Sequence, residues 1–209
     1  MYILPHFAVT DRQKLHDFIV AHSFGMLVSQ HGDEPFATHL PLLLRRDEGS
    51  YGALVGHVAK ANPHWQSADG KTVLAVFSGP HAYISPAWYE AELVVPTWNY
   101  VAVHVYGTLH AIHEPDPLTE ILTDSLAEFE DPDSQWKFDA TSDFAIKLRQ
   151  QIVGFRIDIN RIEGKWKLNQ NHPRERREKV VNALRNRNDS DSQAIAEMME
   201  EQLLSGRRV

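Results

Sequence analysis

Cysteine is absent from the 209 residues. Disulfides, thiol nucleophiles, iron–sulfur clusters and cysteine-based zinc sites are excluded with it. Long apolar runs are also missing, since no window reaches the ~18 consecutive apolar residues that a membrane span requires. The opening MYILPHFAVTDR lacks the basic and apolar regions of a secretory signal. The expectation is a cytoplasmic protein with no membrane partner. An excess of basic charge is lacking too. Lys and Arg number 21 against 28 Asp and Glu, for a formal net charge of −7. No general field draws such a chain to nucleic acid, so an anionic ligand has to be held by a local cluster of donors. Nucleotide and esterase signatures fail as well. There is no G-x-G-x-x-G and no G-x-S-x-G. Gly70-Lys71-Thr72 imitates the end of a phosphate loop, but Trp65 stands where its first glycine belongs, and a strand pattern follows where a helix is needed.

What remains is ordinary globular composition, 43% hydrophobic and 23% charged, enough for a real core. Thr10-Asp11-Arg12-Gln13 reads as a capping box before a short helix with Leu15, Phe18 and Ile19 on its apolar face. Strand patterns follow at 24–30, 36–44, 53–58, 72–78 and 97–110, separated by turn signals. In the last of these, Val101, Val103 and Val105 share one face, and Trp98, Tyr100, His104 and Tyr106 the other. Two helices are expected near 117–130 and 142–151. A strand with alternating Val153, Phe155, Ile157 and Ile159 comes next, and Gly164 reads as a bend before a short segment at 165–168. The tail reads as two helices broken near 186–190. Strands mostly precede helices and short turns join them, which argues for an antiparallel barrel of the mainly β, α+β class rather than a doubly wound sheet. The division expected is a barrel domain at 1–172, carrying inserted helices at about 117–151, and a C-terminal helical extension at 173–209.

Twelve histidines raise the question of metal. His104 and His110 would share a strand face but stand roughly 20 Å apart at ~3.3 Å per residue, too far to chelate one ion. No metal site is expected. The segment at 174–187 carries six basic and two acidic side chains. Val180, Val181 and Leu184 give it an apolar stripe, so an amphipathic packing helix competes with a DNA-contacting one. DNA is left as a partner without an evident reading module.

Four segments are richer in special residues than packing requires. Thr38-His39-Leu40-Pro41 puts a proline in a strand, marking an edge, bulge or opening. Gly56-His57-Val58-Ala59-Lys60-Ala61-Asn62-Pro63-His64-Trp65 leaves a strand into a turn, where Lys60, Asn62 and His64 suit a phosphate as well as they suit a solvent-facing turn. A third region, 79–89 with 95–100, reads as a stiff aromatic pair of loops, fit for a flat ring system or for a subunit interface. Gly164-Lys165-Trp166-Lys167-Leu168-Asn169-Gln170-Asn171 sets two lysines on one extended face, opposite an anion or along a sheet edge.

In this order, THLP, GHVAKANPHW, YISPAWY, VPTWNYVAVHVYG and KWKLNQN resemble the PaiB family of FMN-binding negative transcriptional regulators. The family pattern carries serine where Asn169 stands. The resemblance implies an antiparallel FMN-binding split barrel, the fold of pyridoxamine-phosphate oxidases and many flavin reductases. It implies a homodimer with flavin mononucleotide at the subunit interface. On this analogy Thr38, His39, His57, Lys60 and Asn62 form one wall, with Lys60 and its turn at the phosphate. Ser85, Trp98 and Asn99 belong to a second loop, and Lys167, Asn169 and Gln170 come from the partner subunit. No catalytic acid or base stands out, although His39, His57 and His64 lie in the motifs. The expected function is a flavin-binding negative regulator. A flavin-dependent oxidoreductase (flavin reductase or pyridoxamine-phosphate-oxidase-like) and a haem-binding or haem-degrading split barrel are the alternatives.

Overall fold

The computed structural model describes residues 1–205; the last four residues of the expected C-terminal extension lie outside the described part. Eight strands are joined in the order β3-β2-β6-β7-β8-β5-β4, with β1 pairing beside β8. In chain order they are β1 (Ala8–Val9), β2 (Phe24–His31), β3 (Glu34–Pro41), β4 (Leu43–Arg45), β5 (Ala53–Ala59), β6 (Thr72–Ile84), β7 (Thr97–Ile112) and β8 (Ile152–Lys167). Every resolved pairing is antiparallel, including β2 with β3 and β6, β5 with β4 and β8, and β1 with β8. The helices are α1 (Arg12–Ala21), α2 (His64–Ala68), α3 (Pro115–Phe129), α4 (Asp143–Arg149), α5 (Arg174–Arg185) and α6 (Ser190–Ser205). No described helix is long and apolar enough to cross a membrane.

The chain divides into two compact units. One comprises Arg12–Phe77 and His104–Ile162. Its core joins Phe18 and Ile19 of α1 to Leu27, Leu54, Phe77, Val105, Phe155 and Ile157, all buried. On the strands, period-2 alternation fixes the register, because a one-residue slip would turn each strand side chain to the opposite face. In this unit β7 and β8 run unusually close. A Cβ on Gly107 would lie 2.4 Å from the Asp158 carbonyl oxygen and 2.6 Å from Ile157 Cγ2. The other unit comprises Met1–Asp11, Ser78–Val103 and the described residues from Glu163 on. It buries Ile84, Tyr89, Val101, Trp166 and Leu168, together with Val180 and Leu184 of α5 and Ile195 and Met199 of α6. Fully burying a side chain of this size contributes about 1.5–3 kcal/mol.

Three elements differ from the sequence reading, each for a physical reason. The strand expected at 36–44 is broken at Leu42, whose N–H leaves the ladder for the Ser23 carbonyl at 2.8 Å. Pro41, which has no N–H, closes the pairing with β2, and Leu43 takes β5 as its new partner. Gly164 is not a bend; β8 runs straight through it, held by pairing with Val9. The strand expected to end at Ser78 continues to Ile84 through Gly79 and Pro80. Pairing of β2 with β6 ends at Val76, so the β2 side of Pro80 requires no donor.

In α5 the basic side chains are largely partnered. Arg174 meets Glu178, Lys179 meets Glu90 and Glu175, and Arg177 donates to Gln202. Arg185 meets Glu200 of α6, and Arg187 meets Asp189. Val180, Val181 and Leu184 are buried, as the apolar stripe predicted.

Candidate functional site

The turn after β5 is held by a network of side-chain and backbone hydrogen bonds. Thr38 Oγ1, from β3, stands 2.8 Å from His64 Nδ1 and accepts from Asn62 Nδ2 at 3.2 Å. Asn62 Oδ1 in turn accepts the His64 backbone N–H at 2.9 Å. Three side chains thereby clamp residues 60–64 against β3. The backbone is fixed as well, by Asn62 N–H to Ala59 O at 2.8 Å and Lys60 N–H to Gln151 O at 2.7 Å. Trp65 Nε1 donates to Lys60 O at 3.1 Å. Lys60 is left exposed at the apex of this rigid turn.

His64 is buried, and Phe36 meets its ring edge-on at 5.1 Å. Burial, with a smaller contribution from nearby His31, lowers its pKa and keeps the imidazole neutral. Nε2 has no hydrogen-bond partner. An unsatisfied buried nitrogen costs about 1–3 kcal/mol, so the clamp is held at an expense elsewhere in the core.

Period-2 geometry separates the expected residues on this side. Thr38 points to the clamp, whereas His39, the next residue, takes the opposite face of β3 and is exposed. His57, half-buried on β5, lines a different space, a cavity bordered by α3 and α4. Burial lowers its pKa. Lys60 lines a smaller cleft of about 340 Å³, where the structure adds two groups the sequence reading had not joined to it, His113 and Arg149. Arg149 Nη1 donates to Thr119 Oγ1 at 2.6 Å, leaving its other N–H groups for a ligand. His113 and Arg149 are distant in sequence and lie in no motif, so only the tertiary fold reveals them.

The remaining expected residues lie in the other unit. Ser85 caps the short 3-10 turn Pro86–Tyr89 by accepting the Ala87 N–H at 3.3 Å. Trp98 is 53% exposed, with Tyr83 edge-on at 5.9 Å and His81 at 6.0 Å. Asn99 faces the other way: it is fully buried, and its Nδ2 donates to Met199 Sδ of α6 at 3.4 Å. Lys167 Nζ donates to Trp98 O at 2.7 Å and also to Thr97 Oγ1. Burial first, and Lys165 second, lower its pKa. Lys165 is itself occupied, donating to Tyr2 O at 3.0 Å with Tyr100 5.1 Å away.

Asn169 has φ +62°, the left-handed region that asparagine tolerates better than most residues. Its Nδ2 donates to Tyr89 OH at 2.9 Å, and Tyr89 stacks on His172 at 4.8 Å. Gln170 closes the strand end, accepting from Leu168 N–H at 2.7 Å and donating to Trp166 O at 2.5 Å. Asn169 and Gln170 thus both shape the backbone. Tyr89 was visible in YISPAWY, but nothing in the sequence tied it to Asn169.

Antiparallel strands with peripheral helices define the class as an antiparallel β-barrel protein, and its lysine-bearing turn is clamped from a neighbouring strand. A family model described as "Putative FMN-binding domain" matches residues 1–161. The protease synthase and sporulation protein PAI 2 of Bacillus subtilis is 38% identical over 206 residues, covering 97% of this chain and 98% of that one. The chain belongs to this FMN-binding-domain family, the PaiB family. Among solved structures, the flavocytochrome Anf3 from Azotobacter vinelandii is similar with a TM-score of 0.60 at 13% identity, over 77% of this chain and 69% of that one. An FAD- and haem-binding protein from Mycobacterium smegmatis follows at 0.57 and 14%, over 77% and 73%. At such identities the likeness concerns the fold alone, which is the antiparallel split-barrel type with C-terminal helices.

Proposed function

We propose that the chain binds flavin mononucleotide as a homodimer in the cytoplasm and acts as a flavin-responsive negative regulator of transcription. The observation that carries the flavin reading is the clamped turn, within a chain that matches the FMN-binding family over residues 1–161. A phosphate that is nearly a dianion requires cationic and neutral donors at fixed positions. Lys60 and Arg149 supply the charge. Asn62 retains a second N–H after bonding Thr38, because an amide nitrogen carries two hydrogens. The Thr38–Asn62–His64 clamp positions this turn. His113 in the same cleft adds a donor. When bound, the flavin would supply redox chemistry, and a second copy of the chain would bring the exposed Trp98 with Tyr83 and His81 as a wall for a flat ring.

The regulatory role is supported by membership of the PaiB family and by the length over which PAI 2 aligns. The partnered cations of α5 favour regulation through another protein over direct base reading.

The test mixes purified protein with FMN, desalts it and scans its absorbance. Retained flavin bands in the wild type and their loss in Lys60→Ala support the reading. An apoprotein that takes up no flavin at micromolar concentrations, or a Lys60→Ala variant that binds normally, overturns it. Sedimentation tests the dimer, with a monomer at all concentrations as the refuting result. Promoter binding with and without FMN, alone and with cell extract, tests regulation, and no flavin-dependent change in either setting refutes it.

A further inference from the structure

A second cavity, of about 720 Å³, opens in the unit that carries the clamped turn. Leu122 and Leu126 of α3, Trp136 and Phe138 of the connecting segment, and Phe144 and Leu148 on α4 give it an apolar lining. Trp136 and Phe138 stack at 6.2 Å. The polar groups are few. Ser125 and Ser142 turn their hydroxyls back onto Ile121 O and Asp139 O. Asp139 gives Oδ1 to the backbone N–H and hydroxyl of Thr141, bonds that lower its pKa. His57, Lys137 and Arg149 remain to face a ligand. This is the makeup of a small-molecule site: concave, mostly apolar, of suitable volume and with a few orienting polar groups. The cationic balance of Lys137 and Arg149 against Asp139 selects an anion.

We propose that this cavity binds an amphipathic monoanion, with a fatty-acyl or fused-ring body against the leucines and aromatics and an anionic head at Lys137 and Arg149. Half-buried His57 stays neutral near pH 7 and offers a hydrogen bond without a second charge. The site adjoins the flavin turn, and two links join them. Arg149 lines both cavities, and Gln151, in this lining, accepts the Lys60 N–H. The site stands whether or not flavin binds at Lys60.

The test uses anilinonaphthalene sulfonate as an anionic fused-ring reporter, with dodecanoate and dodecanol as competitors, on the full chain without FMN. One dye per chain is expected, displaced by dodecanoate at about tenfold lower concentration than by dodecanol, as a hydrogen bond to a charged group predicts. Lys137→Gln should narrow that gap. Leu126→Trp fills the cavity and should abolish dye binding with the far-ultraviolet circular dichroism intact. Phe144→Ser, at a position 72% exposed, should weaken the dye without threatening the fold. Dye binding unchanged in Phe144→Ser and in a folded Leu126→Trp overturns the proposal. So does dodecanol competing as well as dodecanoate, or FMN displacing the dye as fully from Lys60→Ala as from the wild type, since the cavity would then be the flavin site itself.

Discussion

Asn169 performs two separable tasks, and substitutions can divide them. Its backbone occupies φ +62°, which costs an ordinary L-residue roughly 1–2 kcal/mol. Its side chain donates to the buried Tyr89 hydroxyl, a bond contributing about 0.5–1.5 kcal/mol. Asn169→Ala loses the bond and takes the full backbone strain, for an expected loss of about 2–3 kcal/mol. Asn169→Gly loses the bond but adopts the left-handed conformation freely, offset by the extra freedom glycine has when unfolded, so the loss should be smaller by about 1 kcal/mol. Tyr89→Phe leaves the Asn169 amide without this acceptor and should cost about 1–2 kcal/mol. Combining Tyr89→Phe with Asn169→Gly should then be markedly less than additive, since both remove one bond. The assay is urea unfolding followed by tryptophan fluorescence, at one protein concentration because the stability of the proposed dimer would depend on it. For a chain of this size each kcal/mol moves Tm by about 2–4 °C, which offers a second readout. Alanine no worse than glycine at position 169 would refute the backbone half of this reasoning, and full additivity with Tyr89→Phe would refute the other half. Asn169→Ser, restoring the residue of the family pattern, should fall close to alanine in backbone cost unless its hydroxyl reaches Tyr89.

Gly107→Ala should destabilise by about 1–3 kcal/mol, because the new methyl meets a backbone oxygen 2.4 Å away that cannot rotate aside; a loss too small to measure in urea would show that β7 and β8 separate readily. The buried histidines set an acid limit. The pKa values of His64 and His16 are lowered on folding, chiefly by burial, so their contribution is full above the ordinary value of 6.5 and is lost as pH falls through that value toward the lowered ones. His64→Asn should flatten the fall of stability below pH 6.5, and an unchanged pH profile by urea titration would show that His64 does not report the clamp. Thr38→Val removes the clamp's shared hydroxyl while leaving Lys60 in place. It should weaken FMN binding by less than Lys60→Ala does, measured by flavin fluorescence quenching, and an effect equal to or larger than that of Lys60→Ala would assign the phosphate contact to Thr38.

Much of the architecture was legible because period-2 alternation is a local signal. The face of β7 read from Val101, Val103 and Val105 is the buried one, and all three valines are buried. The same periodicity could have separated Thr38 from His39, since adjacent strand residues cannot share a face. Motif membership grouped them instead. Pro41 announced an irregularity correctly, but only the exchange of partners from β2 to β5 shows its kind. Gly164 and Gly79-Pro80 misled for the opposite reason. Glycine and proline mark turns on average, yet long-range pairing at Val9 and the end of the β2 ladder at Val76 allow a strand to run through them. The bond of Asn169 with Tyr89, and the cleft shared by Lys60, His113 and Arg149, join distant parts of the chain and leave no local trace.

The candidate residues also sort by what their polar atoms are already doing. Ser85, Asn99, Asn169 and Gln170 each make a hydrogen bond within the chain itself, and all four fix backbone or core geometry. Replacing them should disturb stability at least as much as ligand affinity. Lys167 holds Thr97 and Trp98 with two of its three donors, which ties the exposed indole to the end of β8 and leaves one N–H for a ligand. Lys60 differs from all of these. Its backbone is bound on both sides, by Gln151 and Trp65, while its side chain stands exposed. A charge whose position is fixed by the backbone, and whose ammonium is paired with no acidic side chain among the described residues, loses little on meeting an anion. That asymmetry, more than the motif around it, makes Lys60 the residue on which the proposed phosphate binding would turn.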